Sequence, residues 1–228
     1  MKAVVLLSGG LDSATCLSLA VAKYGAGNVS CLSVFYGQKH EKELESAKKI
    51  AAFYGVPRHE LNLSEVLEIS NCALLAKNKA EVQSGSYAEQ LAEGGVQTYV
   101  PFRNGLFLAA VASFAYGLYN GEETAVYLGA HADDAAGNAY ADCSPEFSEA
   151  MKKAISLGTY GKIKVETPLI NMNKAQVVKT GLELGTPYEL TWSCYRGGDK
   201  PCGKCGTCID RARAFEMNEV KDPALGEV

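Results

Sequence analysis

The sequence predicts an α/β protein: a Rossmann-like parallel sheet with helices on both faces, followed by a cysteine-rich C-terminal segment. Three observations carry this. Strand-like and helix-like runs alternate through the first two thirds of the chain. The links between them are short, and strands joined through helices pair in parallel with both sheet faces covered. Beyond that, the character shifts to a Gly- and Cys-rich stretch over residues 193–207.

Taken in order, residues 3–7 (Ala-Val-Val-Leu-Leu) read as a core strand and residues 14–24 as a helix. Residues 29–35 read as a buried strand. Residues 39–54 read as an amphipathic helix, with Leu44, Ala47, Ile50, Ala51 and Tyr54 on one side. Residues 58–63 are a third strand. Residues 105–119, rich in Ala, Leu and Phe all round, are a buried helix, and residues 124–129 a fourth strand. Further helices are expected from Pro145, over 173–184 and over 208–217. Residues 71–98 are polar, carry Gly85, Gly94 and Gly95, and show weak periodicity. A stretch of that length is expected to be a functional lid or to lack structure of its own.

Composition sets the bounds. The 228 residues fit one α/β domain with a small appendage, drawn as residues 1–190 and 191–228. A hydrophobic content of 47% can fill one sizeable core. A net charge of −4 and a pI near 5.5 argue against a strongly electropositive nucleic-acid face. No apolar run approaches the ~20 residues that span a bilayer, and the N-terminal run reads as a core strand rather than a signal peptide. A cytoplasmic location follows as the expectation. There, eight cysteines are read as ligands, nucleophiles or core fillers rather than disulfides.

The most informative stretch is Ser8-Gly9-Gly10-Leu11-Asp12-Ser13, between the first strand and the first helix. Glycine in such a turn lets the backbone approach a ligand. Free N–H groups at a helix start point outward, and the dipole favours negative charge there. Two hydroxyls and a carboxylate in the same turn suit a pyrophosphate with its magnesium. A Gly-Gly turn is also common, and Asp or Ser near a helix start often only caps it. The pattern is neither the Lys-containing phosphate loop nor the spaced-glycine dinucleotide fingerprint. It does resemble the loop of the ATP pyrophosphatases, which adenylate a carbonyl or carboxyl oxygen.

Cys194, Cys202, Cys205 and Cys208 form Cys-x7-Cys-x2-Cys-x2-Cys, with Gly203 and Gly206 easing the two tight turns. Thiolates hold zinc at about 2.3 Å in a tetrahedron, so this reads as a closed, structural zinc-binding segment. An iron–sulfur cluster or a redox pair is the alternative. Cys16, Cys31 and Cys72 are scattered and read as packed thiols. The loop after the fourth strand carries Asp133, Asp134 and Asp142 at a strand carboxyl end, where sites are built. The same acids could equally cap the helix near Pro145. His131 reads as a satisfied core or surface residue. Arg103 can clamp a carboxylate or phosphate, and Asn104 can cap the buried helix.

Further motifs join the loop in order: Phe35-Tyr-Gly-Gln-Lys-His40, Pro101-Phe-Arg-Asn104, the stretch from Asp134 to Cys143, and Thr191-Trp-Ser-Cys-Tyr195 leading into the cysteine knot. Together they resemble the 7-cyano-7-deazaguanine synthase family, the QueC family of the adenine nucleotide alpha hydrolase-like superfamily, from the first strand to about Phe215. The resemblance implies a carbon–nitrogen ligase. It would turn 7-carboxy-7-deazaguanine, ammonia and ATP into the nitrile used for queuosine or archaeosine, through adenylated acid and amide. It implies catalytic roles for Asp12, Ser13, Arg103 and Asp133. ATP would lie on Ser8, Gly9, Gly10, Leu11, Asp12 and Ser13, with Asp12 on Mg²⁺. Tyr36, Gln38, Asn104 and Asp142 would contact the acid, and the four knot cysteines would hold Zn²⁺. It implies small-molecule substrates, no direct nucleic-acid contact and no membrane, with a homodimer as an open arrangement. The chain departs from the family at Ala141, where proline is usual, and at Ser144, where arginine is frequent; losing proline frees the backbone φ at 141. A tRNA-modifying ATP pyrophosphatase of the thiolation or lysidine type is the nearest rival. A nucleotide-binding module without chemistry is the second.

Overall fold

The computed structural model describes residues 1–135 and 139–225. Ala136, Gly137 and Asn138 of the middle-loop motif lie outside the described residues. Five strands form one sheet, β1 (Lys2–Leu6), β2 (Val29–Phe35), β3 (Arg58–Asn62), β4 (Thr124–Tyr127) and β5 (Ile163–Glu166), in the order β3-β2-β1-β4-β5. Every pairing is parallel. The helices are α1 (Leu11–Tyr24), α2 (Lys42–Tyr54), α3 (Ser64–Leu67), α4 (Tyr87–Ala92), α5 (Arg103–Leu118), α6 (Ala132–Ala135), α7 (Pro145–Gly158), α8 (Lys174–Glu183) and α9 (Gly206–Glu216). Among the described residues, no helix is long and apolar enough to cross a membrane.

The period-2 alternation of strands splits the core into two layers. Ala3, Val5 and Leu7 join α1, α2 and α8 in one, while Val4, Leu6, Leu32, Val126 and Val165 join α5 and α7 in the other. The strand order reverses between β1 and β4, so the crevice outside their carboxyl ends is where an open α/β sheet receives a ligand. Residues 8–13 leave β1 at that crevice.

Two segments differ from the sequence expectation. Strand β5 was not anticipated: Ile-Lys-Val-Glu is short, and only Ile163 and Val165 are buried, on one face of an edge strand. Residues 71–98 are not a structureless lid in the described fold. Cys72, Leu74, Leu75 and Val82 are buried and pack with Val100 and with Cys194, Cys205 and Cys208. Helix α4 carries a full capping box between Ser86 and Glu89. Gly85 N–H donates to Lys204 O at 3.0 Å and Arg196 to Val82 O at 3.0 Å, so the segment is tied to the cysteine-rich stretch. Cys16, Cys31 and Cys72 are buried; burial pushes the Cys31 thiol up to about 12 and Cys16 further, which leaves both inert.

Helix α9 packs on α8 and is locked by Arg211, which is 6% exposed. Its guanidinium donates to both oxygens of Asp222 at 2.6 and 2.9 Å, to Thr191 Oγ1 at 2.7 Å, to Ser193 Oγ at 3.1 Å and to Tyr188 O at 3.1 Å. All five donors of the fork are used. Breaking a buried pair by removing one partner leaves an uncompensated charge and costs about 3–5 kcal/mol. Asp222→Ala is therefore expected to lower the urea midpoint of unfolding by that equivalent. An unchanged midpoint would show that Arg211 finds water instead.

Candidate active site

A cavity of about 200 Å³ opens at the carboxyl ends of β1, β2 and β4. Its floor is apolar, with Leu6, Leu32, Val34 and Leu128. The Ser8–Ser13 turn forms one wall. Gly9 has φ +95°, and a Cβ there would sit 1.9 Å from the carbonyl oxygen of Glu43 on α2, so only glycine lets the loop lie this close to that helix. Gly129, just past β4, abuts the backbone of Asp12 and Ser13 from the other side. The loop's donors are turned inward on its own hydroxyls. Ser8 and Gly9 N–H donate to Ser13 Oγ at 3.2 and 3.3 Å, and Gly10 N–H donates to Ser8 Oγ at 3.2 Å. Three N–H groups and two hydroxyls thus converge on a small volume at the start of α1, the arrangement that receives a phosphate oxygen.

Beside the loop lies a charge network that spans three elements. Asp12, on the first turn of α1, takes both its oxygens to Lys174 Nζ at 2.7 and 2.6 Å. Lys174 Nζ also lies 3.1 Å from His131 Nε2, and His131 Nε2 lies 3.3 Å from Asp134. Burial works against the Asp12 carboxylate, but Lys174 and then His131 outweigh it and hold its pKa below the ordinary value. Burial also opposes the Lys174 ammonium, yet Asp12 and Asp134 hold it above its usual range. Asp134 goes the other way: burial and the Asp12 charge raise it in spite of His131 and Lys174.

The structure places three of the residues singled out in the sequence as follows; Asn104 lines the cavity. Asp133 does not line the cavity; its carboxylate accepts the Lys174 backbone N–H at 2.7 Å and so secures the start of α8, while its neighbour Asp134 faces the cavity. Asp142 is 5% exposed and is likewise absent from the cavity wall. It accepts Asn104 N–H at 2.8 Å and its carbonyl accepts from Asn104 Nδ2 at 3.2 Å. Asn104 is therefore not a cap: α5 begins after Phe102 in the left-handed region, φ 56°, and Asp142 satisfies the Asn104 donor from across the chain. The cap of α7 is Ser144, whose Oγ accepts Phe147 N–H at 3.1 Å with Pro145 at the first helical position. That gives the chain's serine at 144 a local reason.

The rest of the cavity is aromatic and basic. Arg103 lies over the Tyr36 ring, 5.3 Å from its centroid, with Tyr140, Tyr195 and Trp192 on the same wall. Gln38 Oε1 accepts Tyr36 N–H at 2.8 Å and fixes the turn that presents Tyr36. Tyr140 shares a 2.6 Å hydrogen bond with Thr98.

Cys194, Cys202, Cys205 and Cys208 bring their Sγ atoms within 4.8 Å of one another. A thiolate tetrahedron at a metal–sulfur distance of about 2.3 Å has edges of about 3.8 Å, so the four sulfurs fit one ion. Backbone N–H groups of Cys202, Lys204 and Cys205 donate to these sulfurs at 3.3–3.4 Å, which favours the thiolate form. Tyr195, next to Cys194, carries this scaffold into the cavity wall.

Sequence reasoning missed Lys174, and it passed over His131. A signal for Lys174 was present. A lysine in the first turn after the Asn173 cap stands against the helix dipole, and such a placement needs an acidic partner.

The chain matches the family described as queuosine biosynthesis protein QueC over residues 2–219. It is 41% identical to a 7-cyano-7-deazaguanine synthase of Archaeoglobus fulgidus, over 100% of this chain and 91% of that one. It is 42% identical to one of Caldicellulosiruptor saccharolyticus, over 100% and 96%. A solved NMN synthetase from Francisella tularensis covers 96% of this chain and 78% of its own at 16% identity, with a TM-score of 0.47.

Proposed function

The chain belongs to the QueC family of queuosine biosynthesis proteins, and on that premise we propose that it makes 7-cyano-7-deazaguanine from 7-carboxy-7-deazaguanine, ammonia and ATP. The observation that carries this reading is that one cavity is lined both by Ser8, Asp12 and Ser13 and by Tyr36, Arg103 and Tyr195. Nucleotide phosphate and a planar acid can meet there.

The proposed roles follow from the geometry. A carboxylate resists ammonia because its oxygen is a poor leaving group. Attack of that oxygen on the α-phosphorus of ATP expels pyrophosphate and gives an acyl adenylate. The N–H groups of Ser8, Gly9 and Gly10, with the Ser8 and Ser13 hydroxyls, exchange their internal hydrogen bonds for phosphate oxygens. Leu11 holds the turn from below, 1% exposed. Asp12 would supply the hard oxygen donor for Mg²⁺, which when bound alongside phosphates would offset the charge of the departing pyrophosphate. Lys174 adds a second cation at the same place. Arg103 pairs with the acid's carboxylate through parallel hydrogen bonds, and Tyr36, presented by Gln38, packs against the base. Asn104 and Asp142 act one step back, by fixing the start of α5 that carries Arg103. Most of the rate then comes from positioning and charge stabilisation. The four thiolates suit Zn²⁺ in a closed, structural site. The reactants are small molecules, so the reading needs neither a nucleic-acid face nor a membrane; it places the enzyme in the cytoplasm, as a monomer or homodimer.

The test is nucleotide accounting. AMP and pyrophosphate are expected to accumulate only when the deazaguanine acid is present, and the amide to appear and then be consumed with a second ATP. ADP and phosphate from an otherwise active preparation would sink the adenylation step.

A further inference from the structure

We propose that Glu43 is the proton acceptor for the nitrogen-bearing steps of this reaction, taking the N–H proton released as the amide forms and again as the amide becomes the nitrile. This rests on the function proposed above.

Three placements support it. Glu43 lies in the first turn of α2 and lines the same cavity as Asp12 and Arg103. Its backbone carbonyl touches Gly9, so the side chain starts within its own length of the loop proposed to hold the phosphates. Among the described residues, no hydrogen bond or ion pair holds its carboxylate; only the charge of Arg103 acts on it against burial. Glu43 is partly exposed, on the wall of the cavity, and a carboxylate with no protein partner there is free to meet a ligand. The groups facing it are Arg103 from α5, Tyr36 after β2 and Tyr195 from the cysteine-rich stretch. Neither tyrosine serves as a base near neutrality, because burial pushes both phenols above their ordinary range. Burial pushes the Glu43 carboxyl up to about 7, with Arg103 pulling the other way. A group titrating near the working pH is the most effective proton acceptor.

The steps balance. In the first, the ammonia lone pair forms the C–N bond, the carbon–oxygen bond to AMP breaks, and AMP leaves with its electron pair. One N–H proton passes to Glu43 and then to water. In the second, the amide oxygen takes AMP from ATP and pyrophosphate leaves. Both remaining N–H protons are lost in turn, the carbon–oxygen bond breaks with its electrons on AMP, and the C≡N bond remains. Transfer of AMP to the acid itself releases no N–H proton, so it needs no acceptor.

That asymmetry gives the test. Glu43→Gln keeps the side chain's size and removes its basicity. Acid-dependent exchange of labelled pyrophosphate into ATP is expected to persist in the variant, which also shows that it folds and binds the acid. Nitrile formation from the purified amide is expected to fall by about 10²-fold or more, the usual share of a general base. Starting from the amide removes the titration of ammonium. The wild-type rate should rise through about pH 7 to a plateau as Glu43 ionises, the variant should lose that rise, and Glu43→Asp should restore part of it. Wild-type nitrile rates and pH profile in Glu43→Gln would overturn the proposal. So would loss of exchange together with nitrile formation, which would make Glu43 a binding group. If the wild type itself shows no acid-dependent exchange, the function above fails, whatever Glu43 does.

Discussion

Cys205→Ser is expected to remove the C-terminal fold and most of the soluble yield, rather than to trim activity. The argument is one of magnitudes. A structural zinc of this kind contributes about 10–16 kcal/mol of apparent binding free energy, whereas a whole domain is stable by only about 5–15 kcal/mol. Losing one of four thiolates removes a large part of the first figure. The damage would not stay local. Cys194, Cys205 and Cys208 are buried among Tyr36, Leu74, Leu75 and Val100, and Gly206 lies against Tyr87. Residues 71–98 and the Tyr195 wall of the cavity would loosen with the knot. Thermal melting and elemental analysis check this: the wild type should carry about one zinc and little iron, and the variant should melt much lower and lose its metal. A metal-free variant that melts and turns over like the wild type would refute the scaffold role, and a brown wild-type protein would favour an iron–sulfur cluster.

Much of the fold was legible because it rests on local patterns. Ala3 to Leu7 is apolar at every position because both sheet faces are covered, and β2 is read from the same kind of run. The loop at Ser8–Ser13 and the cysteine knot are contiguous in sequence, so spacing alone defines them. What failed to show depends on distant parts of the chain. Strand β5 is four residues with two buried side chains, below what periodicity resolves. Asp133 and Asp134 differ by about 100° around a helical turn; only the packing of α8 against that turn decides which one caps and which one faces the cavity. The substrate contact expected of Asp142 came from the family resemblance alone; its hydrogen bond to the Asn104 backbone N–H, far back in the chain, has no local signal. The lysine at the start of α8 signals that an acidic partner is needed, but that the partner is Asp12 shows only when α8 is laid against α1.

The second large effect falls on that pair. Asp12→Asn is expected to lower nitrile formation by about 10³-fold, the scale of losing one preorganised electrostatic contact at a developing charge. The amide keeps the shape of the turn but offers Mg²⁺ no anionic oxygen. It also leaves Lys174 facing His131 without its carboxylate, whose oxygens now lie 2.6 and 2.7 Å away. Stability therefore separates structure from chemistry. The Lys174 side chain is 16% exposed, so the stranded charge is mostly buried, and the single variant should melt below the wild type. Asp12→Asn combined with Lys174→Met removes both charges and should recover much of that loss, since contacting partners are non-additive. Activity should not recover with it, because neither the metal ligand nor the phosphate cation is restored. Near-normal turnover in a folded Asp12→Asn protein would sink the metal role. Recovery of turnover in the double variant would show instead that the pair serves only to hold α1 against α8.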